Sequence, residues 1–446
     1  MKPMAWMTAL VLCLSVSSGL MAAETGDQLD AVTRREVVQG LADLIEERYI
    51  EAETAGRLAA DMRQRVADGN YASYNSPRDL AAVLTRELEE VDRHFFIDWQ
   101  PPGSGVAVPG DHSEESQEQW REYSRLQNFG FRRVDVLPGN IGYLELRYFD
   151  SPRQAADTAM AAMNLLANTD AVIIDLRRNG GGEPDMVQLL ASYFLGPEPV
   201  HYNSFYSRDG ETTRQFWTLP HVRGARMLDA PLYVLTSART GSAAEGFSYA
   251  MQAQKRGTIV GEITGGAANP GESFAIGHGF NAFVSTGKPV NPITGTNWEG
   301  TGVQPDNRVA SSDALDVAYA DALRRLLEQR TDETTRRGLE WALEALEVEN
   351  RSGVLSQLEL QHLAGHYGNR RIRFEGDHLT YQRGRRTVHR MVPLGENRFL
   401  LDGVDGFRIT FERDPSGRIV RMHDQWDDGH IETNLPPGDR IPMAEN

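Results

Sequence analysis

Two segments of the chain share one pattern: a short apolar run, a turn of small residues, and then a helical pattern. The apolar runs are residues 171–176 and 231–235, and the turns that follow are rich in glycine, serine and alanine. An apolar run without alternating polar residues predicts a strand buried on both faces, as in parallel sheets covered by helices. The repeated order of strand, turn and helix therefore predicts an α/β core of layered sheet and helices.

The second of these turns ends at Ser242, and the residues Ser242-Ala243-Ala244-Glu245 open the helical pattern. A serine at a strand–turn–helix step exposes its Oγ beside backbone N–H groups at the positive end of the helix dipole. Such N–H groups can stabilise a developing oxyanion. Ser-x-x-Glu is also a capping box, in which Ser242 and Glu245 satisfy each other's backbone donors. The pattern alone leaves both roles open.

The first turn reads Asn179-Gly180-Gly181-Gly182. Three glycines let the backbone approach a ligand closely and direct N–H groups into a pocket, whereas a plain turn needs only one. This turn is therefore expected to form another wall of the same pocket.

Two further polar residues are candidates for a site. His94 lies in residues 87–99, next to a β-prone run, and Glu299 lies in the glycine-rich loop 297–306. A neutral imidazole is the usual base for a serine hydroxyl at neutral pH, and a carboxylate can orient it. Each residue also has a simpler interpretation, as a partly exposed histidine and a solvated loop carboxylate.

Four motifs in one order resemble the S41 family of serine peptidases, closest to the branch of tricorn and the interphotoreceptor retinoid-binding protein. The motifs are LRRNGGG (176–182), TSARTGSAAE (236–245), VGEITGGAANPG (260–271) and WEGTGVQPD (298–306). The resemblance covers roughly residues 30–330. It implies a ClpP/crotonase-like layered core with a small helical N-terminal domain, to which the composition adds a small all-β C-terminal domain.

The resemblance implies a secreted serine peptidase that hydrolyses peptides or unfolded polypeptides through an acyl-enzyme. Ser242 would be the nucleophile, His94 the base and Glu299 the orienting acid, with the N–H groups of Gly181 and Ala243 as the oxyanion hole. It implies no cofactor and no metal. The alternative is a non-catalytic binding module for apolar ligands, a use that retinoid-binding relatives make of this scaffold.

The chain departs from the lysine-dependent processing proteases of the family. Their base is a lysine in a Thr-x-Gly-Lys turn, whereas residues 264–267 here read Thr-Gly-Gly-Ala. The three lysines of the chain, Lys2, Lys255 and Lys288, lie elsewhere. A serine–lysine dyad is therefore not expected. Arg93 stands where tricorn has a serine, so the resemblance does not identify a fourth member of the catalytic set.

Composition predicts the compartment and excludes several partners. Residues 1–23 have one early lysine, an apolar stretch and small residues at the end, which predicts a signal peptide and a periplasmic or secreted protein. The one cysteine, Cys13, lies in this leader, and lipoprotein or soluble processing is left open. The net charge of −17 argues against nucleic acid and anionic membranes. No run of 18 or more apolar residues appears after the leader, so no later membrane span is expected. Assembly of identical subunits is left open.

The predicted organisation has five parts after the leader. They are a helical N-terminal domain (24–100), a polar linker (101–127), the catalytic α/β core (128–335), a helical linker (336–355) and a C-terminal β domain (356–446). The polar linker is too short for a separately folded peptide-binding module. The histidines of the last part, including His362 and His366, lack the glutamate of a zinc-hydrolase motif and are not assigned to a metal.

Overall fold

The computed structural model describes residues 28–101, 114–349, 355–395 and 397–437. The predicted signal peptide, Cys13 and about half of the predicted polar linker lie outside these ranges. Among the described helices, none combines the length and apolar character needed to cross a membrane.

The N-terminal region is helical, as predicted. It contains helices α1 (Ala31–Arg48), α2 (Ala52–Ala67) and α3 (Pro77–Glu89), followed by strand β1 (Phe96–Trp99). Local sequence explains the helix starts. The Asp30 side chain accepts a hydrogen bond from the Thr33 N–H at 2.7 Å at the start of α1. Ser76 caps α3, whose first residue is a proline.

The central region alternates strands and helices. Its elements, in chain order, are α4 (Glu114–Leu126), β2 (Phe131–Leu137), β3 (Ile141–Leu146), α5 (Pro152–Leu166), β4 (Ala171–Asp175), α6 (Pro184–Ala191), β5 (His201–Ser207), β6 (Thr212–Trp217), β7 (Leu232–Thr236), α7 (Ala243–Ala253), β8 (Gly257–Gly261), β9 (Gly271–Gly277), β10 (Phe280–Ser285), β11 (Gly287–Val290), β12 (Asn307–Arg308), α8 (Ala314–Gln329) and α9 (Glu333–Glu349). Helix α4 lies within the predicted polar linker, so that segment is partly helical.

The main sheet has six strands in the order β12-β8-β7-β4-β3-β2. All neighbouring pairs are parallel except the edge pair of β2 and β3. Every residue of β4 and β7 is buried, because helices cover both faces. One face packs against α5, α6 and α7, and the other against α8 and α9. The predicted α/β layered core is confirmed.

Strand β1 joins the N-terminal region to the core. It pairs antiparallel with β10, with Phe96 opposite Phe283, in a three-stranded sheet that β9 completes. The buried side chains of α1, α2 and α3 share one cluster with Phe280, Ala282 and Val284 of β10. The turn that precedes β1 is therefore held against the central region.

The C-terminal region is all-β after one short helix, as predicted. It contains α10 (Gln357–Leu363), β13 (Gly365–Tyr367), β14 (Arg370–Glu375), β15 (His378–Arg383), β16 (Val388–Gly395), β17 (Arg398–Leu401), β18 (Val404–Arg413), β19 (Ile419–Trp426) and β20 (Ile431–Asn434). These strands form one antiparallel meander of eight. The Gly368 N–H donates to the Leu435 carbonyl at 3.0 Å and brings its two ends together, so the sheet is barrel-like.

Helix α9 contacts both the core and the barrel-like sheet. Its Leu339 and Ala342 are buried against the main sheet. On its other side, the Arg408 guanidinium donates to the Trp341 carbonyl at 2.6 Å, and Arg398 pairs with Glu344 at 2.9 Å. The segment predicted as a helical linker is thus largely a packed element of the core.

Candidate active site

Ser242 stands between the turn after β7 and the first residue of α7. Its backbone has φ 49° and ψ −120°, a conformation that L-residues rarely adopt and that is retained where the surroundings enforce it. The next residue, Ala243, begins the helix, and an N–H at that position has no acceptor within the helix. The fold therefore presents a half-buried serine hydroxyl at the positive end of a helix.

The glycine-rich turn after β4 lies against this serine. Gly181 has φ +120°, and a Cβ built on it would lie 2.7 Å from Ser242 Cβ, so only glycine allows this approach. The Gly181 N–H, which the sequence assigned to an oxyanion hole, donates instead to Asn179 Oδ1 at 2.9 Å. The Gly181 N–H is therefore already hydrogen-bonded in this conformation. The close contact between the glycine turn and the turn of Ser242 is as expected.

Ser242 and His94 line one cavity of about 480 Å³. Ala243 and Gly182 belong to the same wall. The remaining lining is mainly apolar and includes Val187, Tyr202, Phe205, Phe283 and Trp298. The two residues that the sequence singled out from segments almost 150 positions apart are thus brought to one place.

His94 lies in the turn before β1 and is flanked by two carboxylates. Its Nδ1 is 3.7 Å from Asp92 Oδ1. One side-chain atom each from Asp92, His94 and Glu299 lies within 4.8 Å of the others. His94 Nδ1 and Glu299 Oε1 are both buried and find no hydrogen-bond partner among the residues that the structure describes.

Asp92 is fixed by several donors. Its Oδ1 accepts the His94 backbone N–H at 2.9 Å, and its Oδ2 accepts the Asn269 side-chain amide at 3.2 Å. Burial acts to raise the pKa of Asp92, but hydrogen bonds from His94, Asn269 and Ser285 outweigh it and hold the pKa below its usual range.

Glu299 is held by the backbone of the neighbouring loop. Its Oε2 accepts the N–H groups of Ala268 and Asn269 at 2.7 and 3.0 Å. Burial and the nearby charge of Asp92 raise the pKa of Glu299, while the two N–H donors and His94 act in the opposite direction. The two carboxylates therefore differ: the lowered pKa favours the ionised form of Asp92 more strongly than that of Glu299.

Glu245 is fully buried below the serine and organises the turn around it. Its Oε2 accepts the N–H groups of Ser242 at 2.9 Å and Ala267 at 3.0 Å, and its Oε1 accepts the Gly266 N–H at 2.6 Å and the Thr264 hydroxyl. Burial raises the pKa of Glu245 against the effect of these four donors. Its carboxylate completes its half of the expected capping box, and it also fixes residues 264–267.

Asp92 was not among the site residues predicted from the sequence, and Glu245 was assigned there to a helix cap. The spacing Asp-x-His is a weak signal for the first, because an aspartate can accept the N–H of the residue two positions later. For Glu245 the sequence carried no signal beyond the cap, because its partners Gly266 and Ala267 are more than twenty positions away.

The lysines of the described part of the chain lie apart from this cavity. Lys288 pairs with Glu51 at 2.6 Å, and Lys255 follows the last turn of α7. Neither lines the cavity, and Ala267 ends the turn that carries a lysine in the processing branch.

Asp92, His94 and Glu299 are also close enough together for their side chains to meet at a metal ion. Both oxygens of Asp92 and one oxygen of Glu299 already accept N–H donors, and these donors would compete with a metal for the lone pairs.

The fold and these residues define an α/β protein in which a serine at a strand–turn–helix step shares a cavity with a carboxylate-flanked histidine. The chain belongs to peptidase family S41. Residues 140–309 match the family itself, and residues 31–138 match the N-terminal domain of peptidase S41 in eukaryotic IRBP. The predicted family is confirmed, and the second match agrees with the predicted branch.

Similar curated proteins are carboxyl-terminal-processing proteases. The chloroplastic carboxyl-terminal-processing peptidase 2 of Arabidopsis thaliana is 27% identical over 196 residues, 40% of this chain and 35% of that protein. The carboxyl-terminal-processing protease of Synechocystis is 31% identical over 160 residues, 35% of this chain and 36% of that protein. The chain therefore matches little more than a third of the length of these two relatives.

Solved structures with a similar chain path include a photosystem II D1 C-terminal processing protease. It is 14% identical, with a TM-score of 0.42, and the match covers 63% of this chain and 94% of that one. The tricorn protease is 16% identical, with a TM-score of 0.39, over 66% of this chain and 37% of that one.

Proposed function

We propose that the chain is a serine peptidase that hydrolyses peptide bonds in peptides or unfolded polypeptides through an acyl-enzyme on Ser242. The observation that carries this proposal is the common cavity of Ser242 and His94 at the N-terminus of α7. Membership of peptidase family S41 and the similarity to carboxyl-terminal-processing proteases support the same reaction.

The proposed reaction has two halves. Ser242 Oγ attacks the carbonyl carbon of the scissile bond while His94 takes the hydroxyl proton, and the His94 imidazolium then gives this proton to the leaving amine. In the second half, a water molecule attacks the resulting ester while His94 takes its proton. His94 then returns this proton to Ser242 Oγ as the acid product leaves. Glu299 keeps the imidazole in the tautomer and orientation that this proton transfer needs.

Negative charge on the tetrahedral intermediate is stabilised by backbone donors in this proposal. The Ala243 N–H, at the first residue of α7 and without an acceptor within the helix, supports its assignment as one donor, and a donor of this kind contributes ~3 kcal/mol in other serine hydrolases. Gly181 remains the proposed second donor. Since its N–H now binds Asn179 Oδ1, substrate would have to displace that bond.

The lining of the cavity fits a polypeptide substrate. Tyr202, Phe205, Phe283 and Trp298 offer an apolar surface for a substrate side chain beside the serine. The same surface is the observation that favours the alternative, a non-catalytic module that binds apolar ligands. A binder has no need of a strained serine that shares a cavity with a histidine flanked by a buried and a half-buried carboxylate, so we rank the peptidase first.

Labelling of the nucleophile tests the proposal. The purified protein is treated with a fluorophosphonate, the adduct is mapped by mass spectrometry, and turnover of an internally quenched peptide is followed in parallel. We expect the adduct on Ser242, and in Ser242→Ala we expect loss of labelling and a fall in kcat of roughly 10³-fold or more.

Ser248→Ala is the matched control. Ser248 lies in the same helix, is fully buried, donates to the Ala244 carbonyl at 2.8 Å and does not line the cavity. It should keep both labelling and turnover. Absence of any adduct on a cooperatively folded wild-type protein, together with saturable binding of an apolar ligand, would instead establish the binding module.

We also propose export of the protein, with removal of residues 1–23. The support is the leader pattern of the sequence, with its early lysine and its small residues at positions 22 and 23. N-terminal sequencing of the protein from cell fractions tests it: a mature chain in the exported fraction that begins near residue 24 is expected, and an intact Met1 in the cytoplasmic fraction would refute it.

A further inference from the structure

We propose that Asp92 is a second positioning residue for His94: its buried carboxylate holds the imidazole ring from the Nδ1 side and stabilises the imidazolium that forms when Ser242 loses its proton. This inference rests on the proposed function, and it extends the set of Ser242, His94 and Glu299 by a residue that the family resemblance did not indicate.

The turn before β1 builds the contact between Asp92 and His94. Asp92 Oδ1 accepts the His94 backbone N–H at 2.9 Å and lies 3.7 Å from His94 Nδ1. The Asn269 amide binds the other oxygen at 3.2 Å, and the side chain of Asp92 is fully buried. The carboxylate is thus locked in place before substrate arrives, and a small rotation of the imidazole would bring Nδ1–H within hydrogen-bond reach.

The two carboxylates beside His94 differ in what they can supply. Glu299 uses Oε2 for two backbone N–H groups and leaves Oε1 buried without a partner in the described structure. One oxygen of Asp92 and one of Glu299 lie within 4.8 Å of each other. A full negative charge on both carboxylates is unfavourable at this distance, because burial weakens screening and like charges repel. The donors around Asp92 favour charge there, so Asp92 supplies the negative charge and Glu299 a further oxygen acceptor for the ring.

The titratable groups around His94 come from three elements of the described structure. Asp92 belongs to its own turn, Glu299 to the loop 297–306, and the hydroxyl of Tyr49, at the end of α1, interacts with both carboxylates. Among these groups Asp92 is the one whose ionised form its neighbours favour. Removal of its charge should therefore disfavour protonation of His94.

The test compares Asp92→Asn with Asp98→Asn in the full chain. Asp98 lies on β1, is half-buried, accepts the Gln100 amide at 3.2 Å and does not line the cavity. For Asp92→Asn we expect kcat to fall by roughly 10² to 10⁴-fold while KM changes little, since triad carboxylates act on the chemical step. We also expect the acid limb of the kcat/KM profile to move to lower pH by about one unit. Asp98→Asn should leave both unchanged.

Asp92→Ser is the second neutral variant, in case Asp92→Asn does not melt cooperatively. A serine at this position can still accept the N–H two residues later but carries no charge. It should show the same displacement of the acid limb. Asp92→Glu, which keeps the charge, should leave the limb near its wild-type position.

The failures of the two proposals are distinguishable. If wild-type protein is not labelled at Ser242, the peptidase itself is refuted. If wild type is labelled and active while folded Asp92→Asn and Asp92→Ser keep the wild-type kcat and acid limb and lose only thermal stability, Asp92 is structural and this inference alone is wrong. A rise in activity with added Zn²⁺ that Asp92→Asn abolishes would also overturn it, because Asp92 would then act as a metal ligand.

Discussion

Glu245→Gln is the change that most directly tests how the turn under Ser242 is held. The carboxylate accepts four hydrogen bonds, two on each oxygen, and the side chain is fully buried. A glutamine keeps one acceptor oxygen, and its NH₂ group must face two donors. In one orientation the unpaired donors are Ser242 N–H and Ala267 N–H, and in the other they are Gly266 N–H and the Thr264 hydroxyl.

The magnitude follows from those two lost acceptors. A buried donor without an acceptor costs ~1–3 kcal/mol, so the substitution should lower the free energy of unfolding by about 2–6 kcal/mol. Against a typical total of ~5–15 kcal/mol this is a large loss. Because the Glu245 carboxylate also holds the Ser242 N–H, its replacement should loosen the serine turn, and the rate of fluorophosphonate labelling at Ser242 should fall as well.

Urea unfolding followed by circular dichroism gives the stability, and single-turnover labelling gives the reactivity of Ser242. Glu359→Gln is the control, since Ser356 and Glu359 form the same capping box at the exposed start of α10, and its effect should be much smaller. Equal stability of Glu245→Gln and wild type would refute the reasoning. It would mean that the buried group is neutral at the assay pH and that the four donors contribute no net stabilisation through its charge.

Three other outcomes are expected. Because the pKa of Asp92 is held below its usual range, its charge stabilises the fold above about pH 4 and this stabilisation is lost as the pH falls through the lowered value; urea unfolding should therefore show a difference between wild type and Asp92→Asn at pH 7 that shrinks at pH 3, and a difference that grows on acidification would contradict the assignment. Lys255→Ala and Lys288→Ala should keep most of the peptidase activity, since neither lysine lines the cavity; loss of kcat in either folded variant would revive a serine–lysine dyad. Truncation after residue 350 keeps α9 and removes the barrel-like sheet, and a soluble product with a cooperative melt should still be labelled at Ser242; a folded but unreactive product would show that the C-terminal region completes the site.

Local sequence was sufficient for most elements of the fold. The continuous apolar runs near residues 171 and 231 became the buried strands β4 and β7, because only a strand covered on both faces has no polar side. The glycine turn and the serine cap lie at the ends of those strands as expected, since both follow from spacing along one short segment.

The same spacing could not give the relation between distant segments. His94 reaches the cavity because β1 pairs with β10, with Phe96 opposite Phe283, and because the helices α1 to α3 share a buried cluster with β10. A pairing between strands nearly 190 positions apart depends on the whole packed sheet, so the sequence supported His94 only through its resemblance to a family.

The hydrogen-bond partners and the burial of each polar group were likewise decided by the tertiary structure. The Ser242 motif determined a turn and a helix start, but burial of Glu245 between that turn and residues 264–267 made it a shared anchor with four donors. Gly181 was expected as a free donor, yet Asn179 accepts its N–H. Asp92 is held beside His94 by the His94 backbone N–H and by the Asn269 side chain, which only the fold brings to it. Hydrogen bonding and desolvation depend on all neighbours in space, and for this reason the sequence determined which residues could act while only the folded chain decided which of them meet.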